Sequence, residues 1–194
     1  MEMDSHEFNE NKKDILKKVS EQLGRKVYDG EVVSKNDYFI QLEESVPMWR
    51  NEIPELRIEV NQIFTIVEKS KGFYLKIQPF ISLHLPDFSV LRFSPYQSDG
   101  LEISRIQATQ IGSGSGTKLM KIFFIMVRQI LGFIPPIWLE CTGTVGINHT
   151  EVSYGLSEQT RFFRKFGFRV NDRSQYPRWV DMVRPKDENE LPFN

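Results

Sequence analysis

The sequence contains one cysteine, almost no net charge and no long uninterrupted apolar run. Its 194 residues carry 26 acidic and 25 basic side chains, so the protein has no bulk positive field to attract nucleic acid or an anionic membrane. The most apolar stretch, Leu119 to Leu139, contains Lys121, Arg128 and two consecutive prolines, and it therefore lacks the roughly 18 uncharged residues of a membrane span. We expect neither nucleic acid nor a membrane among the partners.

The single cysteine, Cys141, excludes an internal disulfide and favours a reducing compartment. His6, His84 and His149 lie too far apart in the sequence to supply a typical zinc site with it, so we expect no metal. The first residues are polar and acidic, whereas a secretory signal begins with basic and then apolar residues. These features predict a cytoplasmic protein. Either a monomer or a homodimer is compatible with the sequence.

Length and composition predict a single domain over residues 1–194. A chain of this length buries roughly 70% of the surface that it exposes when unfolded, and 40% of its residues are hydrophobic. We expect the polar or charged ends, residues 1–12 and 185–194, to be loose. No internal repeat or linker divides the remainder.

Hydrophobic spacing assigns the first elements of the chain. Residues at helical spacing predict a short amphipathic helix that ends at Gly24, and they are Ile15, Leu16, Val19 and Leu23. Further along, the alternation of Tyr38, Ile40 and Leu42 favours a strand that is closed by Pro47.

The next stretch, residues 54–72, supports two assignments. Its apolar residues fit the stripe of a helix with a proline in its first turn and a glycine past its end. Leu56, Ile58 and Val60 also alternate, which is typical of a strand, so both assignments remain open.

The second half of the chain predicts a mixed α/β fold. Short β-like runs, separated by prolines and a Ser-Asp-Gly turn, predict an antiparallel meander over residues 73–77, 81–85, 90–93 and 101–106. An apolar helix from about Thr117 to Leu131 leads to a strand from Ile137 to Cys141, so these last two strands should be parallel. A helix from its N-cap Ser157 to Phe166 and a strand over residues 179–183 follow.

Three glycines at alternate positions, Gly112, Gly114 and Gly116, lie between a predicted strand and the most apolar helix. They expose backbone N–H groups at a helix N-terminus, where the helix dipole favours an anion, so the loop suits a pyrophosphate. It is not a Walker loop, because Thr117 precedes Lys118, and Thr117 also replaces the last glycine of the dinucleotide fingerprint. A flexible linker is the alternative, but linkers rarely lie between a strand and a buried helix.

The segment from Ile111 to Met120 resembles the acyl-CoA signature of the Gcn5-related N-acetyltransferase (GNAT) family, Arg/Gln-x-x-Gly-x-Gly/Ala followed by Thr-Lys-Leu-Leu. Ile111 replaces the usual Arg or Gln, and Gln110 comes one position early. The segment from Phe162 to Val170 resembles a second family landmark, an aromatic pair followed by a short charged stretch and Gly-Phe. The resemblance covers residues 101–183. It implies a twisted mixed sheet with a splayed central pair of parallel strands, flanked by helices.

The resemblance further implies that acetyl-CoA is the co-substrate and that a primary amine attacks its thioester directly. In the family, the strand before the loop splays from its neighbour and binds the pantetheine arm, a role that would fall on Ile106 and Ala108. The pyrophosphate would lie over the loop that follows. The residues implied there are Ile111, Gly112, Ser113, Gly114, Ser115, Gly116 and Thr117.

Direct attack needs a base to take the proton of the amine. The run Trp138-Leu139-Glu140 resembles the Trp-Leu-Glu of the ribosomal-protein N-terminal acetyltransferases, whose glutamate is the base, and Glu102 on the preceding strand is the second choice. Burial would raise the pKa of either glutamate and suit it to this role, whereas a glutamate at a solvated strand end would have no such role. The family's usual tyrosine acid falls on Phe163, so Tyr154 or water takes its place.

Cys141 and the stretch that follows it also have predicted places in the fold. Cys141 should point away from Glu140, as a buried core thiol. The stretch from Thr142 to Leu156 is longer than the family's usual loop, and we expect it to wall the acceptor pocket together with the N-terminal half of the chain, including Trp49. The acceptor amine stays open, and so do two other functions: a CoA-binding module without transfer activity and a purely structural interaction domain.

Overall fold

The computed structural model describes most of the chain. The described residues are 13–14, 16–22, 24–69, 72–110, 112–141, 156–171 and 180–187. The chain divides into two compact units: unit 1 comprises Met1–Ser34 and Gln62–Pro79, and unit 2 comprises Lys35–Asn61 and Phe80–Asn194. The expectation of one acetyltransferase-like domain over the whole chain stays a prediction.

Unit 1 contains a helix and parallel strands. Helix α1 includes residues 16–22, and its Leu16 and Val19 pack on a small core, so the predicted amphipathic helix is confirmed in its described part. Strand β1 (Val27–Val32) runs parallel to β3 (Gly72–His84). The buried core residues of this unit are Val27, Leu75 and Ile77.

Unit 2 contains a mixed sheet whose apolar face shares one core with three helices. Its elements are α2 (Asp37–Glu52), β4 (Val90–Tyr96), β5 (Gly100–Gln107), α3 (Ser115–Leu131), β6 (Ile137–Cys141), α4 (Leu156–Arg164), β7 (Arg169–Val170) and β8 (Val180–Arg184), while β2 (Arg57–Lys69) and β3 contribute to both units. The strands follow the order β3-β4-β5-β6-β8-β7, and β5–β6 is the parallel pair among antiparallel ones. The predicted mixed fold and its central parallel pair are confirmed. The antiparallel succession β3-β4-β5 of the predicted meander is also confirmed, but its first two runs form one strand.

Helix α3 is the centre of the core in unit 2. Gly114 and Gly132 cap its two ends with left-handed φ angles of 83° and 79°. The ring of Phe124 lies 6.1 Å from that of Phe166 and 6.5 Å from that of Phe168, which joins α3 to the end of α4. Each fully buried aromatic side chain contributes about 1.5–3 kcal/mol, so this packing holds the middle of α3 against the segment that follows α4. Within the described part of the chain, every helix is too short or too polar to cross a membrane.

Helix α2 shows that the strand predicted from Tyr38, Ile40 and Leu42 is wrong. The side chain of Asn36 caps the helix by accepting a hydrogen bond from the backbone N–H of Phe39 at 3.0 Å. The buried residues then recur at helical spacing, and they are Phe39, Leu42, Val46 and Trp49. The proline expected to close a strand lies inside the helix on its exposed side. The segment therefore folds as a helix, because the helix buries four apolar side chains that the short alternation of a strand would not bury together.

Strand β2 corrects a second assignment. The helical interpretation of its sequence is wrong and the strand alternative is correct, because Leu56 and Ile58 alternate into the core and the strand pairs with β3.

Two boundaries predicted elsewhere in the chain are also wrong. Pro79, expected to separate two runs, lies within the continuous β3. Helix α4 begins at Leu156, so Ser157 lies inside the helix and is not its N-cap.

Candidate functional site

The two parallel strands of unit 2 stay paired over a short length. The register pairs are Leu101 with Ile137, Glu102 with Trp138, and Ile103 with Leu139. Beyond them β5 continues to Gln107 and β6 to Cys141, with no further pairing between the two among the described residues. The strands therefore diverge toward the end of β5 that leads into the glycine loop, as the family resemblance implies.

A β-bulge in β5 accompanies this divergence. The register between β4 and β5 shifts between Arg92 and Phe93, which leaves Ser104 as an extra residue on β5. A bulge bends its strand and increases the local twist. Ile106 lies beyond the bulge, and Ala108 follows the last residue of β5. Both residues expected to contact the pantetheine arm thus belong to the diverging segment, and the contact itself stays a prediction.

The loop before α3 is open at the positions where a pyrophosphate is predicted. Gly112 and Gly114 have φ angles of 81° and 83°, and a Cβ on either residue would meet no heavy atom within 4 Å. A Cβ on Gly116 would lie 3.5 Å from the Phe162 ring, which is ordinary contact. Backbone groups at the helix start therefore border open space. Ile111 lies outside the described residues.

Side-chain hydrogen bonds tie this loop to the turn between β3 and β4. The Ser113 hydroxyl donates to the carbonyl of Gln110 at 2.8 Å and lies 2.9 Å from the Ser115 hydroxyl. Ser115 donates to the carboxylate of Asp87, which also accepts the backbone N–H of Ser89 at 3.0 Å. These hydrogen bonds, that from Ser115 foremost, hold the pKa of Asp87 below its ordinary value. Sequence reasoning missed Asp87, because its only local signal is a Pro-Asp turn.

Three carboxylates from adjacent strands lie on the sheet face opposite the helices. Glu102 belongs to β5, Glu140 to β6 and Asp181 to β8, where Asp181 is the direct cross-strand neighbour of Glu140. Glu140 is exposed as a residue, but its carboxylate is partly shielded from solvent, and this loss of solvation raises its pKa. The negative charges of Asp181 and Glu102 raise the pKa further. The structure thus brings together the two glutamates expected from the sequence and adds Asp181, whose strand is distant in the chain.

Other residues singled out in the sequence lie in the core. Cys141 is 1% exposed, and burial raises the pKa of its thiol to about 12, so the predicted core thiol is confirmed. Phe163 is also buried. Trp49, expected to wall an acceptor pocket, is instead buried in the core of unit 2. Tyr154 and the rest of residues 142–155 lie outside the described residues.

No family model and no curated protein matches the sequence. A GNAT family acetyltransferase from Elizabethkingia anophelis with acetyl-CoA bound is similar in structure, with 11% identity and a TM-score of 0.40 over 68% of this chain and 98% of that chain. Ard1 from Thermoplasma volcanium is similar with 19% identity and a TM-score of 0.36 over 54% of this chain and 68% of that chain.

Proposed function

We propose that this chain is an N-acyltransferase that moves the acetyl group of acetyl-CoA to a primary amine. The observation that carries the proposal is the divergence of β5 from β6 directly before a loop that is open at Gly112 and Gly114. The divergence leaves the end of β5 without a partner strand on the β6 side. The carboxylates of Glu102 and Glu140 lie on the same pair of strands, which puts acid–base groups beside the opening.

The start of α3 fits a pyrophosphate. Gly112 and Gly114 have no Cβ to occupy its place, and the first N–H groups of a helix lack acceptors within the helix. The helix dipole favours an anion there. Among the described residues, the first turn itself contains no acidic residue, and the Asp87 carboxylate meets the helix start only at the Ser115 hydroxyl. Because the net charge of the chain is close to zero, backbone amides would supply most of the phosphate recognition. Thr117 and Lys118 are exposed beside them.

Glu140 is the group that we assign to the proton of the amine. Acetyl-CoA supplies an activated thioester when it is bound. As the amine nitrogen bonds to the carbonyl carbon and the carbon–sulfur bond breaks, Glu140 takes the proton that the nitrogen loses, and Tyr154 or water returns a proton to the sulfur. The raised pKa of Glu140 makes this carboxylate a stronger base at neutral pH.

Binding and turnover test the proposal separately. Titration calorimetry of the full chain with acetyl-CoA should show saturable binding, and ligand at 100 times its Kd should stabilise the protein by about 2.7 kcal/mol. Addition of an amine should then release free CoA thiol together with the acetylated amine. Absence of binding at millimolar acetyl-CoA would overturn the proposal, and binding without release across a broad amine panel would favour the module without transfer activity.

A further inference from the structure

Two arginines face each other on the sheet face that carries the carboxylates. Arg92 of β4 and Arg105 of β5 are direct cross-strand neighbours at the bulge, an arrangement of like charges that destabilises a sheet. Among the described residues, no carboxylate forms an ion pair with either of them. Arg105 donates to the side-chain oxygen of Gln107, and the guanidinium of Arg92 lies over the Phe80 ring, 4.1 Å from its centroid.

The Nε atom of Arg92 is buried and has no hydrogen-bond partner among the described residues. A buried donor without an acceptor costs free energy and calls for an explanation. Loss of solvation, followed by the charge of Arg105, lowers the pKa of Arg92. Stacking on Phe80 explains how one guanidinium is held, but it does not explain a second arginine opposite the first. An anion bound to both guanidinium groups would relieve the repulsion and accept hydrogen bonds from their terminal N–H groups, since guanidinium groups match carboxylates in geometry.

The arginine pair and the proposed base lie on the two sides of the strand divergence. β5 and β6 run in the same direction from the register pair of Glu102 and Trp138. Arg105 comes three residues after Glu102, and Glu140 comes two residues after Trp138. Arg105 and Glu140 therefore lie at similar positions along the two neighbouring strands. Paired strands lie about 5 Å apart, and β5 and β6 are no longer paired here, so more than one strand spacing separates Arg105 from Glu140, a gap for a small molecule with a group at each end.

We propose that the acceptor is a small amine that also carries a carboxylate, with the carboxylate bound by Arg92 and Arg105 and the amine placed next to Glu140. This inference rests on the proposed acetyl transfer and names its substrate class. The reaction is unchanged: the nitrogen–carbon bond forms, the carbon–sulfur bond breaks, and the acceptor carboxylate takes no part in the chemistry. The arginine pair therefore contributes binding energy and orientation.

A matched series of acceptors tests the carboxylate. We would measure acetyl transfer to glycine, β-alanine, 4-aminobutanoate and 5-aminopentanoate, each against the alkylamine that lacks its carboxylate. At least one member should exceed its alkylamine in kcat/KM by about tenfold or more, because a charge-assisted hydrogen bond is lost without the carboxylate. Equal values throughout the series would overturn the proposal. A preference for 3-aminopropylphosphonate over 4-aminobutanoate would overturn the choice of carboxylate.

Substitutions test whether the two arginines cause the preference for the amino acid over its alkylamine. Arg92→Gln and Arg105→Gln should each raise the KM of the amino acid more than that of the alkylamine, which reduces the preference for the amino acid. Arg105 is exposed, so its variant should fold even if Arg92→Gln does not. Arg57→Gln is the matched control, because Arg57 is exposed and pairs with Glu59, and it should keep the preference. A preference that survives Arg105→Gln would overturn the proposal.

Direct binding separates this inference from the proposed function. Calorimetry with 5-aminopentanoate and its shorter homologues, in the absence of acetyl-CoA, should show binding that Arg105→Gln weakens. If the chain fails to bind acetyl-CoA, the proposed function fails, while arginine-dependent binding of the amino acid would still support the carboxylate site. If acetyl transfer occurs and no amino acid binds or is acetylated in preference to its alkylamine, the carboxylate site fails and the proposed function stands.

Discussion

The carboxylate of Asp87 accepts a hydrogen bond from the hydroxyl of Ser115, which lies 28 positions further along the chain. Asp87 belongs to the turn after β3, and Ser115 is the first residue of α3. The bond therefore joins a turn of the sheet to the start of the helix that would hold the pyrophosphate. A negative charge at this end of a helix interacts favourably with the helix dipole.

Substitution Asp87→Asn should make the stability of the protein less sensitive to acid. The folded-state pKa of Asp87 lies below the ordinary value of 3.8, so its carboxylate stabilises the fold above that value, and this contribution is lost as the pH falls through the folded-state pKa. The excess of the wild-type Tm over the variant Tm should therefore shrink between about pH 6 and about pH 3. Thermal unfolding followed by circular dichroism measures this difference in Tm. Asp99→Asn is the control, because it also removes one exposed carboxylate. A constant difference across this range would contradict the prediction.

Gly114→Val should abolish acetyl-CoA binding. Gly132→Val is the control, because it should lose a similar amount of stability and keep the binding. Gly114 and Gly132 cap the two ends of α3, both have left-handed φ angles, and a Cβ on either would meet no heavy atom within 4 Å. Valine should therefore cost each site about 1–2 kcal/mol of backbone strain, whereas only Gly114 borders the predicted pyrophosphate site. Calorimetry should show loss of binding in Gly114→Val and wild-type affinity in Gly132→Val. Equal affinity in the two variants would place the phosphates elsewhere.

Glu140→Gln should lower kcat by about 10²–10⁴-fold, the usual contribution of a general base, and leave the Kd of acetyl-CoA nearly unchanged. The amide cannot take the proton of the amine, but it keeps the shape of the side chain. Wild-type turnover in this variant would move the base to Glu102 or to water.

The negative neighbours of Glu140 should control the pH dependence of the reaction. Loss of solvation is the first cause of the raised pKa of Glu140, and the charge of Asp181 is the next. A base acts in its deprotonated form, so the rate should rise as the pH passes through this pKa. Asp181→Asn should lower the pKa of Glu140 and shift the rising limb of the kcat profile to lower pH. An unshifted limb would show that another group titrates there.

The thiol of Cys141 should resist alkylation in the folded protein. Its pKa is raised from 9.0 to about 12, which reduces the reactive thiolate about a thousandfold at a given pH. Reaction with iodoacetamide near pH 8 should therefore follow unfolding, and it should become fast in denaturant. Rapid stoichiometric modification of the native chain would contradict this burial. A protected Cys141 also means that thiol reagents would report released CoA alone in the transfer assay.

Elements with a strong local pattern could be predicted from the sequence. Helix α3 is apolar around most of its surface, and the glycines at its start adopt the left-handed φ angles that favour this residue. The strand Ile137–Cys141 was predicted with its observed limits. Helix α2 and strand β2 were not, because each carries apolar residues that fit two periods, and packing partners decide between them.

The sequence by itself determined the mixed α/β fold, the glycine loop at the start of α3 and the two glutamates on its central strands, because these follow from short-range spacing and backbone preference. Only the tertiary structure decided which charges meet. Strand register places Asp181 beside Glu140 and Arg92 opposite Arg105, and a turn of the sheet brings Asp87 to Ser115. Contacts between residues that are distant in the chain depend on register and bulges, which are set by the packing of the whole sheet.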